Sequence, residues 1–374
     1  MIRDLFPRAA GGFKLGLDDM RALVEALGRP DRRYRCIVVA GTNGKGSTCH
    51  GLAWLLRQAG DRVGLYTSPH LLRFAERFRV DGEVLDDDTL IRTYERVKSA
   101  DAARSASRPA SFFELGTAMA LVAFAEAQVD WAVLEVGLGG RLDATNVVER
   151  DLSVITPVGF DHQRYLGDTL AEIAGEKAGI LAPGVPLVLA PQEPEADAVI
   201  RAAARALGTP LFELPTARRR PLELARDLAQ RAARALGVSG GLSGTEWHPP
   251  ARYQRLPGPP PVILDAAHNL PAVQALVSQL REEAGPVHAV FNVLPDRPRG
   301  RLVALLNEVC ATVRVPTFDG APDSTGPTIE AALGEAQEAA RSDGGMVLIA
   351  GSFQLLAEAV HRLTGAPRDP TVRG

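Results

Sequence analysis

Four lysines stand in this chain of 374 residues, at Lys14, Lys45, Lys98 and Lys177, and every other one of its 42 basic residues is arginine. Arginine serves wherever a bare positive charge is enough, so a lysine marks a place that needs a slim point charge or a primary amine. Lys45 lies in Gly41-Thr42-Asn43-Gly44-Lys45-Gly46-Ser47, between the apolar run Cys36 to Ala40 and a helical pattern through Leu52, Leu55 and Leu56. Strand, glycine-rich turn and helix in that order make a phosphate loop: backbone N–H groups curl around phosphate oxygens, the helix start adds partial positive charge, and lysine adds a full one. The expected ligand is ATP, held by Thr42 to Ser47. The common pattern places a hydroxyl directly after the lysine, and here Gly46 takes that place with Ser47 one position later. The competing reading is an ordinary glycine-rich turn, but packing does not call for a lysine between two glycines.

Other groups able to do chemistry follow predicted strands. Arg62 to Tyr66 reads as a strand ending at Thr67-Ser68-Pro69-His70. The apolar run from Trp131 is broken by Glu135 and then by Gly137-Leu138-Gly139-Gly140. The strand Leu152 to Thr156 leads to Asp161-His162. In a parallel sheet the residues past the carboxyl ends of strands face the ligand crevice, so Ser68, Glu135 and His162 are expected beside Lys45. A turn serine and a satisfied loop histidine are the alternatives for Ser68 and His162. A carboxylate buried without a cation costs several kcal/mol, and Mg²⁺ is the natural partner for Glu135.

The elements that must position these groups alternate between helix and strand. A short amphipathic helix through Met20, Leu23, Val24 and Leu27 follows Leu15 and Gly16, which form either a substrate lip or part of the helix packing. Phe78 to Leu85 reads as a hairpin around Asp81-Gly82, and Ser111 to Gln128 as a long, largely buried helix. Gly237 to Pro250, rich in Gly, Ser and Pro, reads as a linker. Beyond it, strands and helices alternate from Pro261 to Leu363, the signature of a doubly wound sheet, with Asp265 and His268 past its first strand and Gly351-Ser352 past its last. The expected architecture is α/β, with residues 1–245 a P-loop domain binding ATP and acceptor, and residues 246–374 a smaller Rossmann-like domain.

Hydrophobic content of 46%, charged content of 23% and a net charge of −3 fit a globular enzyme and give no footprint for nucleic acid. No run approaches the roughly 18 apolar residues of a membrane span, and the N-terminus lacks a signal-peptide pattern. The three cysteines form no C-x-x-C pair, which argues against a disulfide framework or a zinc site. A cytoplasmic monomer acting on small molecules, away from membranes and nucleic acid, is expected.

Taken together the motifs resemble the dihydrofolate synthase/folylpolyglutamate synthase branch of the Mur ligase family. The resemblance rests on Gly41 to Ser47, Tyr66 to His70, Phe113-Glu114, Glu135 to Asn146, Asp161-His162, Glu176-Lys177-Ala178-Gly179-Ile180, Arg252-Tyr253-Gln254 and Asp265-Ala266-Ala267-His268-Asn269. It implies that ATP phosphorylates a carboxylate of dihydropteroate or a folate and that the amino group of L-glutamate attacks the acyl phosphate. It further implies that Lys45, His162 and Lys177 are catalytic, with Ser68, Glu135, His162 and a carbamylated Lys177 holding Mg²⁺, two ions in all. Leu15, Gly16, Ser111, Phe112, Phe113, Glu114, Leu142, Asp143 and Ala144 would line the acceptor site, and Arg252, Asp265 and His268 would contact the nucleotide. The chemistry agrees with a carbamate: an ammonium beside Mg²⁺ is repelled, whereas an amine can react with CO₂ to become an oxygen ligand. Two alternatives are a Mur-type ligase acting on a UDP-sugar, for which only about thirty-five residues precede the first strand, too few for another domain, and an ATP-binding regulator without turnover.

Overall fold

The structure, a computed structural model, describes residues 16–104, 108–217, 219–318 and 326–369 together with Leu5 and Arg8. Its contacts divide it into two units, one holding the described residues up to His70 and 74–248, the other Leu71–Arg73 and 249–369.

In the first unit the order is α1 (Asp18–Ala26), β1 (Arg35–Ala40), α2 (Lys45–Gln58), β2 (Val63–Tyr66), β3 (Phe78–Val80), β4 (Glu83–Val84), α3 (Asp87–Ala103), α4 (Phe112–Glu126) and β5 (Trp131–Glu135). It continues with β6 (Leu152–Ile155), α5 (Gln163–Leu166), α6 (Leu170–Ala178), β7 (Leu187–Leu189), α7 (Pro194–Ala206), β8 (Leu211–Glu213) and α8 (Pro221–Ala235). The eight strands lie in the order β4-β3-β2-β5-β1-β6-β7-β8, parallel except for the β3–β4 hairpin, which turns at Asp81 and Gly82 with positive φ. β1 is buried on both faces because successive side chains alternate. Val38 and Ala40 join the core that includes Leu115, Leu121 and Ile173, while Ile37 and Val39 join Leu52, Leu56, Leu228 and Ala232 on the opposite side. Burying each of the Val, Ile and Leu side chains contributes about 1.5–3 kcal/mol. α4 is apolar almost all round and accordingly lies inside, its start fixed by a capping box between Ser111 and Glu114.

The second unit runs β9 (Gln254–Leu256), β10 (Val262–Asp265), α9 (Leu270–Leu280), β11 (Val287–Asn292), α10 (Arg299–Asn307), β12 (Thr312–Arg314), α11 (Ile329–Asp343), β13 (Met346–Gly351) and α12 (Phe353–Thr364), with strand order β12-β11-β13-β10-β9. Leu264, Val347 and Ile349 pack with Leu355 and Leu356 on one face, and Ile263, Phe291 and Leu348 with Val273 and Leu276 on the other.

Two local expectations change. Strand β9 is antiparallel to β10, so the second sheet is not wholly parallel; three residues, two of them polar, are too short a run to show an alternation from which to read a strand. The Gly237–Pro250 stretch is no free linker, since Leu242 and Trp247 are buried in the first unit's core, close to Gly51 of α2 and Ala229 of α8. Two apolar anchors suffice to dock a segment whose remaining residues are Gly, Ser and Pro. Among the described residues no helix is long and apolar enough to cross a membrane.

Candidate active site

In the first sheet β1 lies between β5 and β6, and β2 lies beyond β5, all parallel, with Val39 opposite Glu135 and Ala40 opposite Ile155. The residues after Ala40, Tyr66, Glu135 and Ile155 therefore leave the sheet at one edge, which gathers Lys45, Ser68, Glu135 and His162.

The phosphate loop turns at Gly41 and Gly44, both at positive φ, and α2 opens at Lys45, leaving the unpaired N–H groups of its first turn facing the loop. Lys45 Nζ folds back onto the carbonyls of Gly41 (3.2 Å) and Thr42 (3.1 Å). Thr42 Oγ1 accepts the N–H of Gly159 and donates to its carbonyl, both at 3.0 Å, and Thr42 N–H reaches Pro157 O. Thr42 thus ties the phosphate loop to the segment leading into Asp161 and His162. Gln192 holds the same segment, accepting from Val158 N–H and donating to Thr156 O. A Cβ at Gly41 would fall 1.9 Å from Thr156 Oγ1, on a backbone at φ +142°. Gly41→Ala is therefore expected to lower stability by about 2–4 kcal/mol through clash and backbone strain, measured by urea unfolding; a loss within experimental error would contradict this packing.

Glu135 closes β5 and is 4% exposed. Its Oε2 accepts the N–H of Ser68 at 2.9 Å, and a Cβ at Gly46 would sit 3.3 Å from that oxygen and 3.4 Å from the other. That proximity accounts for a glycine directly after Lys45: a side chain there would press on the carboxylate. The Ser68 turn is held by Arg77, a 5% exposed residue that sequence reasoning missed. Its carbonyl accepts Thr67 N–H, and its Nε donates to His70 Nδ1 at 2.9 Å, with the guanidinium over the ring of Phe112. Burial first, then the charge of Arg77, holds His70 well below the usual imidazole range, so it stays neutral and accepts. His162 follows Asp161 and adopts φ 51°, ψ 35°, a left-handed conformation uncommon outside glycine and one that tends to cluster at functional sites.

Lys177, 3% exposed near the end of α6, donates to the carbonyl of Gly41 at 2.9 Å. Burial and then the nearby charge of Lys45 lower its pKa to about 7, against the pull of Asp161, Asp143 and Glu176. The same helix end supports the glycine loop after Glu135: Arg141 N–H bonds Glu176 O, Arg141 pairs with Glu176, and Asn146 Nδ2 donates to Gly179 O. Within that loop the buried Asp143 accepts from Gly137, Leu138 and Thr145 N–H and from the Thr145 hydroxyl, so its carboxylate organises the turn that carries Leu142 and Ala144. Phe113 packs over Gly137, where a Cβ would come within 2.5 Å of its ring. Phe113 thus reaches the glycine loop that Asp143 organises, and Gly140 of that loop lies against the Glu176 and Lys177 carbonyls. Gly16 is described, whereas Leu15 and Lys14 lie outside the described residues.

In the second unit Ala251 and Tyr253, both at positive φ, flank Arg252. The turn is pinned by Tyr253 N–H to Asp265 Oδ2 (2.8 Å) and Ala251 N–H to Gln254 Oε1 (2.9 Å), with the Arg252 guanidinium 5.3 Å from the ring centre of Phe353. Asp265 Oδ1 accepts Ala267 N–H, and His268 Nδ1 meets Ala266 O. These residues share the carboxyl edge of the second sheet.

Among the described residues no three His, Cys, Asp or Glu side chains cluster as a metal site. The donor set predicted from sequence differs in kind: one carboxylate, one imidazole, a hydroxyl and a modified amine. The Glu135 carboxylate, buried beside Gly46 of the phosphate loop, is an oxygen donor of the kind a hard cation shared with phosphate oxygens takes.

Sheet architecture, phosphate loop and strand-end groups together define an ATP-dependent ligase of Mur ligase type. No family model matches the chain. The dihydrofolate synthase/folylpolyglutamate synthase of Bacillus subtilis (strain 168) is 34% identical over 355 residues, 82% of either chain. Of solved structures, Mycobacterium tuberculosis folylpolyglutamate synthase complexed with ADP and AMPPCP superposes with a TM-score of 0.87 at 28% identity over 98% of both chains. Escherichia coli FolC in complex with DHPP and ADP gives 0.80 at 31% identity over 94% of both. The chain belongs to the dihydrofolate synthase/folylpolyglutamate synthase family.

Proposed function

We infer that the chain joins the amino group of L-glutamate to a carboxylate of dihydropteroate or of a folyl-glutamate, converting ATP to ADP and phosphate. The observation that carries this reading is the placement of Lys177: a buried amine bonded to the first residue of the phosphate loop, on a helix end that also supports the glycine loop assigned to the acceptor.

A carboxylate is a poor electrophile. Its oxygen attacks the γ-phosphorus and ADP leaves; the glutamate amine then attacks the acyl carbon and loses a proton, and phosphate departs with the original oxygen. The loop amides and Lys45 hold the phosphates, Lys45 exchanging two carbonyl bonds for phosphate oxygens. Ser68, Glu135, His162 and Lys177, the last as a carbamate, would hold two Mg²⁺ ions, whose chemistry is to neutralise charge on the transferred phosphoryl group. Gly16, Ser111 to Phe113 and Leu142 to Ala144 receive the acceptor, with Glu114 and Asp143 shaping these turns through their bonds to backbone N–H groups. Arg252, Asp265 and His268 are the nucleotide-contacting groups assigned to the second unit. An ATP-binding regulator without turnover would have no physical need for Lys45, Glu135, His162 and Lys177 together.

Purified protein is expected to release ADP with dihydropteroate or tetrahydrofolate only when Mg²⁺ and L-glutamate are both present, with the glutamyl amide confirmed by mass spectrometry. Amide formation on a UDP-sugar and none on either pterin would overturn the reading.

A further inference from the structure

Arg108 links the starts of two helices that carry acceptor-site residues. Its Nη1 and Nη2 donate to both oxygens of Glu114 at 2.7 and 2.8 Å, and its Nε lies 3.3 Å from Asp19 Oδ2. Glu114 is the third residue of α4 and accepts the N–H of Ser111 at 2.7 Å, so the pair is built into the turn presenting Ser111, Phe112 and Phe113. Asp19 is the second residue of α1 and follows Gly16 by three positions. A second arginine reinforces the arrangement: Arg104 reaches Asp19 at 3.4 Å and Asp101 at 2.7 Å, and donates to the carbonyl of Arg108. Asp101 in turn accepts the N–H of Ala110. Glu114 is almost fully buried and Arg108 about one-fifth exposed, so the fork works in a medium where charge-assisted bonds are strong and only partly screened.

We propose that Arg108 is a positioning residue for acceptor recognition, clamping Asp19 to Glu114 and so fixing the placement of Gly16 relative to the Ser111–Phe113 turn. The inference rests on the assignment of those residues to the pterin acceptor. It gives Glu114 a role at one remove from the ligand, since its oxygens already take three N–H donors. Burial alone would raise the Glu114 pKa, but the bonds from Arg108 and Ser111 outweigh it and hold the carboxyl below its ordinary value, so the clamp is charged at neutral pH. Lysine at position 108 could keep the charge but not the two-pronged geometry.

The test compares wild type, Arg108→Lys, Arg108→Met, Glu114→Gln and the Arg108→Met/Glu114→Gln pair in the full chain, with kinetics in dihydropteroate, ATP and L-glutamate. Arg108→Met is expected to raise KM for dihydropteroate about tenfold, the scale of a directly coupled pair, with kcat and KM for ATP within about twofold. Arg108→Lys falls between, and the double variant is no worse than the worse single one. Added NaCl is expected to raise the acceptor KM of wild type but not of Arg108→Met. Unchanged acceptor KM, equal changes in all three KM values, or a loss of kcat alone with lowered Tm would overturn the proposal. If wild type turns over no pterin, the functional reading falls and this proposal with it; an active wild type beside indifferent variants sinks the clamp alone.

Discussion

Lys177→Arg is expected to lose ligase activity by a factor of about 10³ or more, the scale seen when an essential active-site group is removed, while ATP still binds. The side chain keeps its charge and nearly its length, so a purely electrostatic role would survive. What arginine loses is the free amine. Lys177 is buried, and burial with the neighbouring Lys45 lowers its pKa to about 7. The neutral amine adds to CO₂, forming an N–C bond and releasing one proton to leave a carbamate, whereas guanidinium stays protonated. Carbamate formation therefore falls off as pH drops below about 7, and added bicarbonate is expected to restore activity most on that acid side. The stability of the unmodified protein follows the same sign. Between about 7 and the ordinary lysine value of 10.5 the unfolded lysine holds a proton that the folded one has lost, so stability rises with pH across that window, and the cost of burying the ammonium is fully present below it. Because arginine is bulkier, Lys177→Ala is the companion variant, with partial rescue by short-chain carboxylates as its distinguishing result. Full activity in Lys177→Arg, or absence of labelled carbamate in the ATP–Mg²⁺ complex given isotope-labelled bicarbonate, would refute the assignment.

The groups legible in the sequence are those whose signal is local. Glycine spacing around Lys45 shows as a loop because positive-φ turns need glycine, and Glu135 stands out because a lone carboxylate ends an apolar run. The period-two and helical patterns likewise placed the strands carrying Glu135 and leading to His162, and the long helix after Ser111, whereas α3 (Asp87–Ala103) and β9 went unread. What escaped are residues whose meaning comes from distant partners. Arg77 is one of several charges, with Arg73, Glu76 and Arg79, until the fold brings His70 and Phe112 to it. Thr42 belongs to the phosphate-loop motif, yet its hydroxyl spans 117 positions to Gly159. Arg108 lies in a polar stretch with no periodicity, and its carboxylates come from helices α1 and α4. Trp247 reads as part of a flexible stretch, because burial by tertiary packing leaves no trace in the Gly, Ser and Pro around it.

Glu135→Gln separates a metal-binding carboxylate from a structural one. Glutamine retains a carbonyl oxygen able to accept the Ser68 N–H that now meets Oε2, and its near-identical size suits the space beside Gly46. The fold should therefore hold, with some loss of Tm because the buried Arg77 loses the favourable charge of Glu135. Turnover is another matter. If Glu135 binds Mg²⁺ beside the phosphate loop, a neutral amide weakens the ion, and less charge is neutralised as the phosphoryl group moves. A fall in kcat of about 10²–10³ is expected, comparable to losing one preorganised electrostatic contact in a site, with the Mg²⁺ concentration for half-maximal rate shifted upward. ADP release titrated with MgCl₂, alongside thermal unfolding of the same preparations, reads both quantities. A variant with lowered Tm but unaltered Mg²⁺ dependence would make Glu135 a structural anchor for the Ser68 turn and remove it from the metal set.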